Sequence, residues 1–184
     1  MTQLYIVEIK GVTPYIMHAF APDVNESTRG TVRPSVQKQC ENALYKNSEG
    51  KIYVPAYQLE GSMKSESSDH KFKGRKTFKN IVSASVSVEP FELLIKPQSW
   101  EPFVIGVRIP PRTGGRVPSG RPIFKDWSLK FSIACDDSQI TSEALEEILR
   151  DAGKYKGIGA WRPQLAGKYG KFEVVKFQSD GTRK

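Results

Sequence analysis

The alternation of apolar and polar positions divides the chain into short pieces. Residues 3–10 (QLYIVEIK) are apolar, β-rich and partly alternating, which predicts a first strand. The stretch that follows, to about residue 35, is crowded with Gly, Pro, Ser and Thr and predicts loop with little regular structure. Residues 35–46 suit a short helix ended by Asn47-Ser48-Glu49-Gly50, and KIYV at 51–54 suits a brief strand closed by Pro55. In residues 56–67, Leu59 and Met63 stand at i and i+4 just after that proline and predict a second helix. Gly61 inside it costs about 1 kcal/mol relative to Ala, so something should need its missing side chain.

Residues 81–89 (IVSASVSVE) set Val82, Ala84, Val86 and Val88 against three serines, the pattern of a half-buried strand. FVIGVRI at 103–109 reads as another strand. Residues 110–122 (PPRTGGRVPSGRP) read as no core element, because Pro and Gly dominate and no apolar period survives. WSLKFSIA at 127–134 alternates again. Thr141 then N-caps a helix over 142–152 with acids in its first turns and Leu145, Ile148, Leu149 and Ala152 along one stripe; Gly153 is expected to stop it. A glycine-rich stretch leads to a last strand at 171–177, with a frayed tail over 178–184. The order β–insert–α–β–β–α–β is the ferredoxin-like or RNA-recognition-motif plan, an α+β fold. One domain is expected over 1–184, with a loop-rich insertion at 11–50 and basic insertions at 64–80 and 96–125.

The charge sharpens this picture. The net charge of +8 over 184 residues is uneven. Residues 64–125 carry twelve basic and five acidic side chains and residues 153–184 carry eight and two, whereas 126–152 carry two and seven. Two segments hold all of the excess, which favours an anionic polymer or surface as partner. No apolar run approaches the roughly 18 residues that span a bilayer, so no membrane is expected. The N-terminus lacks a basic n-region, and Cys40 and Cys135 are far apart, which reads as reduced thiols in a cytoplasmic protein.

Side-chain chemistry is sparse. His18 and His70 lie in no recognisable catalytic signature; His18 is a weak candidate base, and His70 reads as part of a solvated basic stretch. Two Cys and two His never fall at zinc spacing, so no metal and no cofactor is expected. Three features suggest a polynucleotide instead. Gly157, Gly159, Gly167 and Gly170 fall within fourteen residues with Arg162, Lys168 and Lys171 among them, more glycines than a tight turn requires. The arm at 102–125 holds Arg108, Arg112, Arg116, Arg121 and Lys125 and no acid. KFKGRKTFK at 71–79 interleaves Phe72 and Phe78 with Lys71, Lys73, Arg75, Lys76 and Lys79; the rings either stack on bases or pack inward. The glycine run and the arm are expected to converge on one groove.

Two segments resemble signatures of the CRISPR-associated RAMP superfamily, ferredoxin-like proteins that bind guide RNA. A strand entering a helix through a Pro-Gly-Ser-Ser-Leu-Lys-Gly-like turn is matched in kind by Pro55, Leu59, Gly61, Met63 and Lys64, while Ala56, Tyr57, Gln58 and Glu60 depart. The glycine-rich loop before the last strand is matched by Gly157, Gly159, Gly167 and Gly170 and closed by Phe172, with G-x-x-G as its final pair where the family more often has G-x-G. The resemblance covers both ends of the chain; the basic middle would be the family's thumb-like insertion. By layout it is closest to the backbone-forming subunits of CRISPR effector complexes. It implies a non-catalytic subunit that grips guide RNA, self-associates along it and meets other effector subunits, with a single-stranded DNA target as a further partner. Gln58, Ser62 and Lys64 join the nucleic-acid-binding set on this ground. RNA-cutting members carry an aspartate where Glu41 aligns, so a RAMP-type endoribonuclease using Glu41 or His18 is an alternative. A phage-type single-strand-binding protein and a basic protein–protein adaptor are others.

Overall fold

The computed structural model describes residues 2–19, 34–109, 112–136 and 138–183. Strand β1 (Thr2–Gly11) buries Tyr5, Val7 and Ile9 on one face. After it, β2 (Tyr15–Ile16) and helix α1 (Val36–Asn42) lie in the predicted loop-rich insertion, of which residues 20–33 are outside the described residues. Ser35 caps α1, its hydroxyl accepting from the Lys38 amide at 3.3 Å. Strand β3 (Tyr53–Pro55) enters α2 (Tyr57–Glu66), which buries Leu59 and Met63 as its spacing requires. A small hairpin, β4 (Lys71–Lys73) and β5 (Lys76–Thr77), precedes α3 (Lys79–Ser85), β6 (Val86–Glu89) and β7 (Glu92–Leu94). The ribbon of β8 (Glu101–Ile109) and β9 (Gly115–Phe124) leads to β10 (Ser128–Cys135), α4 (Ser142–Asp151) and β11 (Phe172–Arg183).

The main sheet has the order β11-β1-β10-β6 with every pairing antiparallel. Helix α2 connects β1 to β6, and α4 connects β10 to β11. This is the ferredoxin-like β-α-β-β-α-β arrangement. Leu59, Met63, Leu145, Ile148 and Leu149 of the two helices pack with Val7, Ile9, Leu129, Phe131, Ile133 and Val174 of the sheet in one core. The Thr141 hydroxyl accepts from the Ala144 amide at 3.2 Å, the N-cap read from the sequence. Among the described residues, no helix is long and apolar enough to cross a membrane.

Four local expectations are corrected. Residues 81–85 belong to α3 and only Val86–Glu89 to a strand. Beneath the serine–valine alternation, Phe78, Ile81 and Val82 stand at i, i+3 and i+4 and all pack on the core, a helical set. Much of 110–122 is strand: β9 pairs with β8 from Ile109↔Gly115 to Glu101↔Ile123. Pro118 and Pro122 are tolerated because, among the described residues, β9 pairs with β2 only at its end, through Tyr15↔Phe124 and Ile16↔Ile123, leaving an open ladder beside most of its length. Gly153 does not end the second long helix; the chain runs on through a π turn (Ala152–Lys156) and stops at Gly157. A side chain at Gly153 would strike the Phe172 backbone, its Cβ lying 2.3 Å from that carbonyl oxygen. Residues 178–183 of the tail are not frayed: β11 stays paired with β1 as far as Thr2↔Arg183, and Lys184 lies outside the described residues.

Candidate nucleic-acid interface

The loop from Gly157 to Lys171 owes its shape to contacts with itself and with β2. Its amides donate inward: Ile158 to Gly170 O at 3.0 Å, Ala160 to Ile16 O at 2.9 Å, Tyr169 to Trp161 O at 3.1 Å and Gly170 to Pro14 O at 2.8 Å. A 3-10 turn (Pro163–Leu165) completes it. Each of the four glycines is explained by this closure. Gly159, at φ +80°, lies against the Tyr15 ring, and Gly170, at φ +69°, lies against the Ile158 carbonyl. A Cβ on Gly167 would stand 1.7 Å from Trp161 O, and one on Gly157 would stand 2.9 Å from Gly170 O. The count that pointed to a ligand is therefore what the turns themselves require, and amides expected to meet phosphates largely bond within the chain.

What the loop presents is side chains. Trp161 and Tyr169 are half-buried, with ring centroids 6.3 Å apart. Phe103, at the root of β8, completes a triangle with them at 6.1 and 5.8 Å. This contact joins the basic ribbon to the glycine-rich loop. Opposite Phe103 in register stands Arg121, whose Nη1 donates to Gly120 O at 2.7 Å. Arg162 is folded onto the loop, donating to Gly159 O at 3.0 Å and Gln164 Oε1 at 2.9 Å, while Lys168 is exposed. Half-covered rings flanked by guanidinium and ammonium groups suit unpaired bases and phosphates together.

Farther along the ribbon, Arg108 and Arg116 face each other across the strands and both are exposed. Arg108 Nη1 reaches Arg112 O at 3.3 Å; Arg112 is itself exposed, with φ +72°. Lys125 is paired with Glu101 at 2.7 Å at the ribbon's base. Helix α1 seats on β9 where Gly120 leaves room: a Cβ there would stand 2.5 Å from Val36 O, and the Gly120 amide donates to Gln39 Oε1 at 3.1 Å.

The remaining predicted residues divide. His18 lies just past β2 with its ring surface-facing. Partial desolvation and then the Arg121 charge hold its pKa below the ordinary value. Glu41 lies on α1, 3.8 Å from Lys38 Nζ and accepting from Gln37 Nε2 at 3.3 Å. Gln58 accepts from Tyr15 OH at 3.0 Å, behind the loop. Ser62 is buried and donates to Ala152 O at 3.4 Å, so its hydroxyl holds α2 to the π turn and does not face a ligand. Lys64 is exposed on the opposite side of α2, in a groove with Tyr57, Gly61, Val82 and Val86. Lys71, Lys73, Arg75 and Lys76 are exposed on the β4–β5 hairpin. There Phe72 packs on Phe78 at 5.1 Å and Phe78 on the core, which settles that pair inward.

The sequence did not point to two aromatic groups. One is the Phe103–Trp161–Tyr169 triangle. The other joins Tyr45, Tyr53, Tyr57 and Phe91, with the Tyr45 and Tyr57 hydroxyls 2.9 Å apart and Tyr57 and Phe91 about half exposed. By contrast, the open face of β1 and β10 carries Ile6, Glu8 and Lys10 opposite Ser132, Lys130 and Ser128, with Lys130 paired to Glu8 at 3.0 Å. Those rows lack the rings with which RNA-recognition-motif sheets stack bases.

No protein-family model matches the sequence, and no curated protein matches it. Among solved structures, the chain is similar to one in the cryo-EM structure of the Type III-B Cmr-beta bound to cognate target RNA. The TM-score is 0.58 at 13% identity, covering 98% of this chain and 61% of that one. The chain thus spans about three fifths of that chain's length, and at this identity the likeness shows the fold.

Proposed function

We propose that this chain is a non-catalytic RNA-binding subunit of a CRISPR-type ribonucleoprotein, gripping the phosphate backbone of single-stranded guide RNA. The observation that carries the reading is the aromatic triangle of Phe103, Trp161 and Tyr169, which fastens an acid-poor ribbon to the loop bearing Arg162 and Lys168. Stacking on the rings is sequence-tolerant, as a subunit repeated along a guide requires, and the cations supply the affinity. The fold shared with a chain of the Type III-B Cmr-beta assembly supports the same reading. Self-association along the RNA, contacts with other effector subunits and a single-stranded DNA target belong to it.

Filter binding of single-stranded RNA across salt concentrations tests it. With about four to six phosphates neutralised, log affinity falls with log salt at about −0.7 per phosphate. Reversing Arg108 and Arg116 to Glu weakens binding at every sequence and flattens the slope by about 1.4. Affinity without salt dependence, or a slope unchanged by the reversal, removes the proposal. A cutting activity is the second reading, favoured by His18, whose pKa partial desolvation and then the Arg121 charge hold below the ordinary value. Cleavage of labelled RNA that His18→Ala abolishes would establish it; Glu41→Ala tests the aligned carboxylate.

A further inference from the structure

At the C-terminal ends of α2 and α4, Glu66, His70 and Asp151 come together. Glu66 is the last residue of α2 and His70 lies four residues on, in the turn beyond it, and Asp151 is the last residue of α4. His70 Nε2 lies 3.5 Å from Glu66 Oε1 and 3.3 Å from Asp151 Oδ2, and one donor atom from each residue lies within 4.8 Å of the other two. Both separations exceed the about 2.9 Å of a good N–H···O bond. They match the about 3.3–3.6 Å that separates ligand atoms placed 2.0–2.2 Å from a tetrahedral ion.

A second observation points the same way. Glu66 is 4% exposed, and its Oε2 finds no hydrogen-bond partner among the described residues. Lys156, carried in by the π turn, stands 3.5 Å from that oxygen but is held by Asp69 at 2.7 Å. The carboxylates of Glu66, Asp69 and Asp151 thus gather around His70 and Lys156. A buried carboxylate oxygen left without a hydrogen-bond donor is costly, and a cation bound to that carboxylate offsets the cost. His70 is accordingly no member of a solvated basic stretch: its side chain is 16% exposed and faces two acids.

We propose that Glu66, His70 and Asp151 bind one divalent first-row transition ion of the zinc class through two carboxylates and one imidazole. Three protein ligands leave the fourth tetrahedral position to water or to an anionic group brought by a partner. The absence of zinc spacing in the sequence did not reveal this set, because its third member comes from a different helix.

The test uses full-length protein without a polyhistidine tag, stripped with a chelator and titrated with Zn(II) by calorimetry and with Co(II) by absorption, in the absence of RNA. Wild type is expected to take up one equivalent, giving the intense d–d bands of tetrahedral Co(II) and a raised melting temperature with Zn(II). His70→Ala and the isosteric Asp151→Asn are each expected to lower affinity about tenfold or more. Circular dichroism checks folding, and Asp151→Asn keeps the test decisive if His70→Ala is unstable. No stoichiometric uptake by wild type, or equal uptake by wild type and Asp151→Asn, overturns the proposal. Because no RNA is present, either outcome leaves the RNA-binding reading to its own assay.

Discussion

In the loop before β11, a methyl group on Gly170 would stand 1.8 Å from the Ile158 carbonyl oxygen; on the outer side of α2, one on Gly61 would meet nothing within 4 Å. Both residues fall in segments where a missing side chain suggests a ligand, yet they have opposite meanings. In the loop the chain closes on its own carbonyls and on Tyr15, so under the proposed function recognition would be left to Trp161, Tyr169, Arg162 and Lys168. On α2 the backbone at Gly61 is open and exposed, and the helix bears the cost of glycine with no internal contact in return. Glycine number therefore says little; the distance to the nearest atom decides what each position is for.

The sharpest way to break this contrast is Gly170→Ala, which adds a clash to a left-handed φ. A loss on the order of 3 kcal/mol is expected, read as a lowered denaturant midpoint. Stability unchanged by that substitution would mean the loop is not closed as described. Next in size is Trp161→Ala, for which RNA affinity should fall by about 1–3 kcal/mol, or about 5- to 150-fold, if one base stacks there. A melting curve separates lost stacking from lost packing. The smallest effect is that of Gly61→Ala. The free protein should gain up to about 1 kcal/mol, and its melting temperature should rise by about 2–4 °C. If that variant also binds RNA less well or self-associates less, the open face of α2 is itself a contact surface and the contrast becomes one between two interfaces.

The parts of this architecture legible in sequence are those where period, cap and composition agree. Helix α4 announced itself through Thr141 and the Leu145–Ile148–Leu149 stripe, and β1 through Tyr5, Val7 and Ile9. Where two periods coexist, reading fails: Ser83 and Ser85 alternate with Val82 and Ala84, while Phe78, Ile81 and Val82 carry the helical set that wins because it reaches the core. Strand β9 was hidden by prolines that a two-stranded ribbon accommodates and a sheet interior would not. The glycine-rich loop and the arm are legible as segments, but Phe103, the residue that joins them, carries no sequence signal. Ring contacts between residues sixty positions apart leave no trace in periodicity. Ser62 lies within a segment that resembles a ligand-binding motif, but burial beneath the π turn keeps it from a ligand.

One pairing in the ribbon has a dynamic consequence. Arg108 and Arg116 face one another as directly opposed cross-strand neighbours. Opposed like charges weaken a ladder, by an amount that screening reduces. Backbone protons near these arginines should thus exchange with deuterium faster in dilute buffer than in concentrated salt, and slowest with a polyanion lying between the two guanidinium groups. A finger that stiffens only around its cargo would let a strand enter freely and leave slowly.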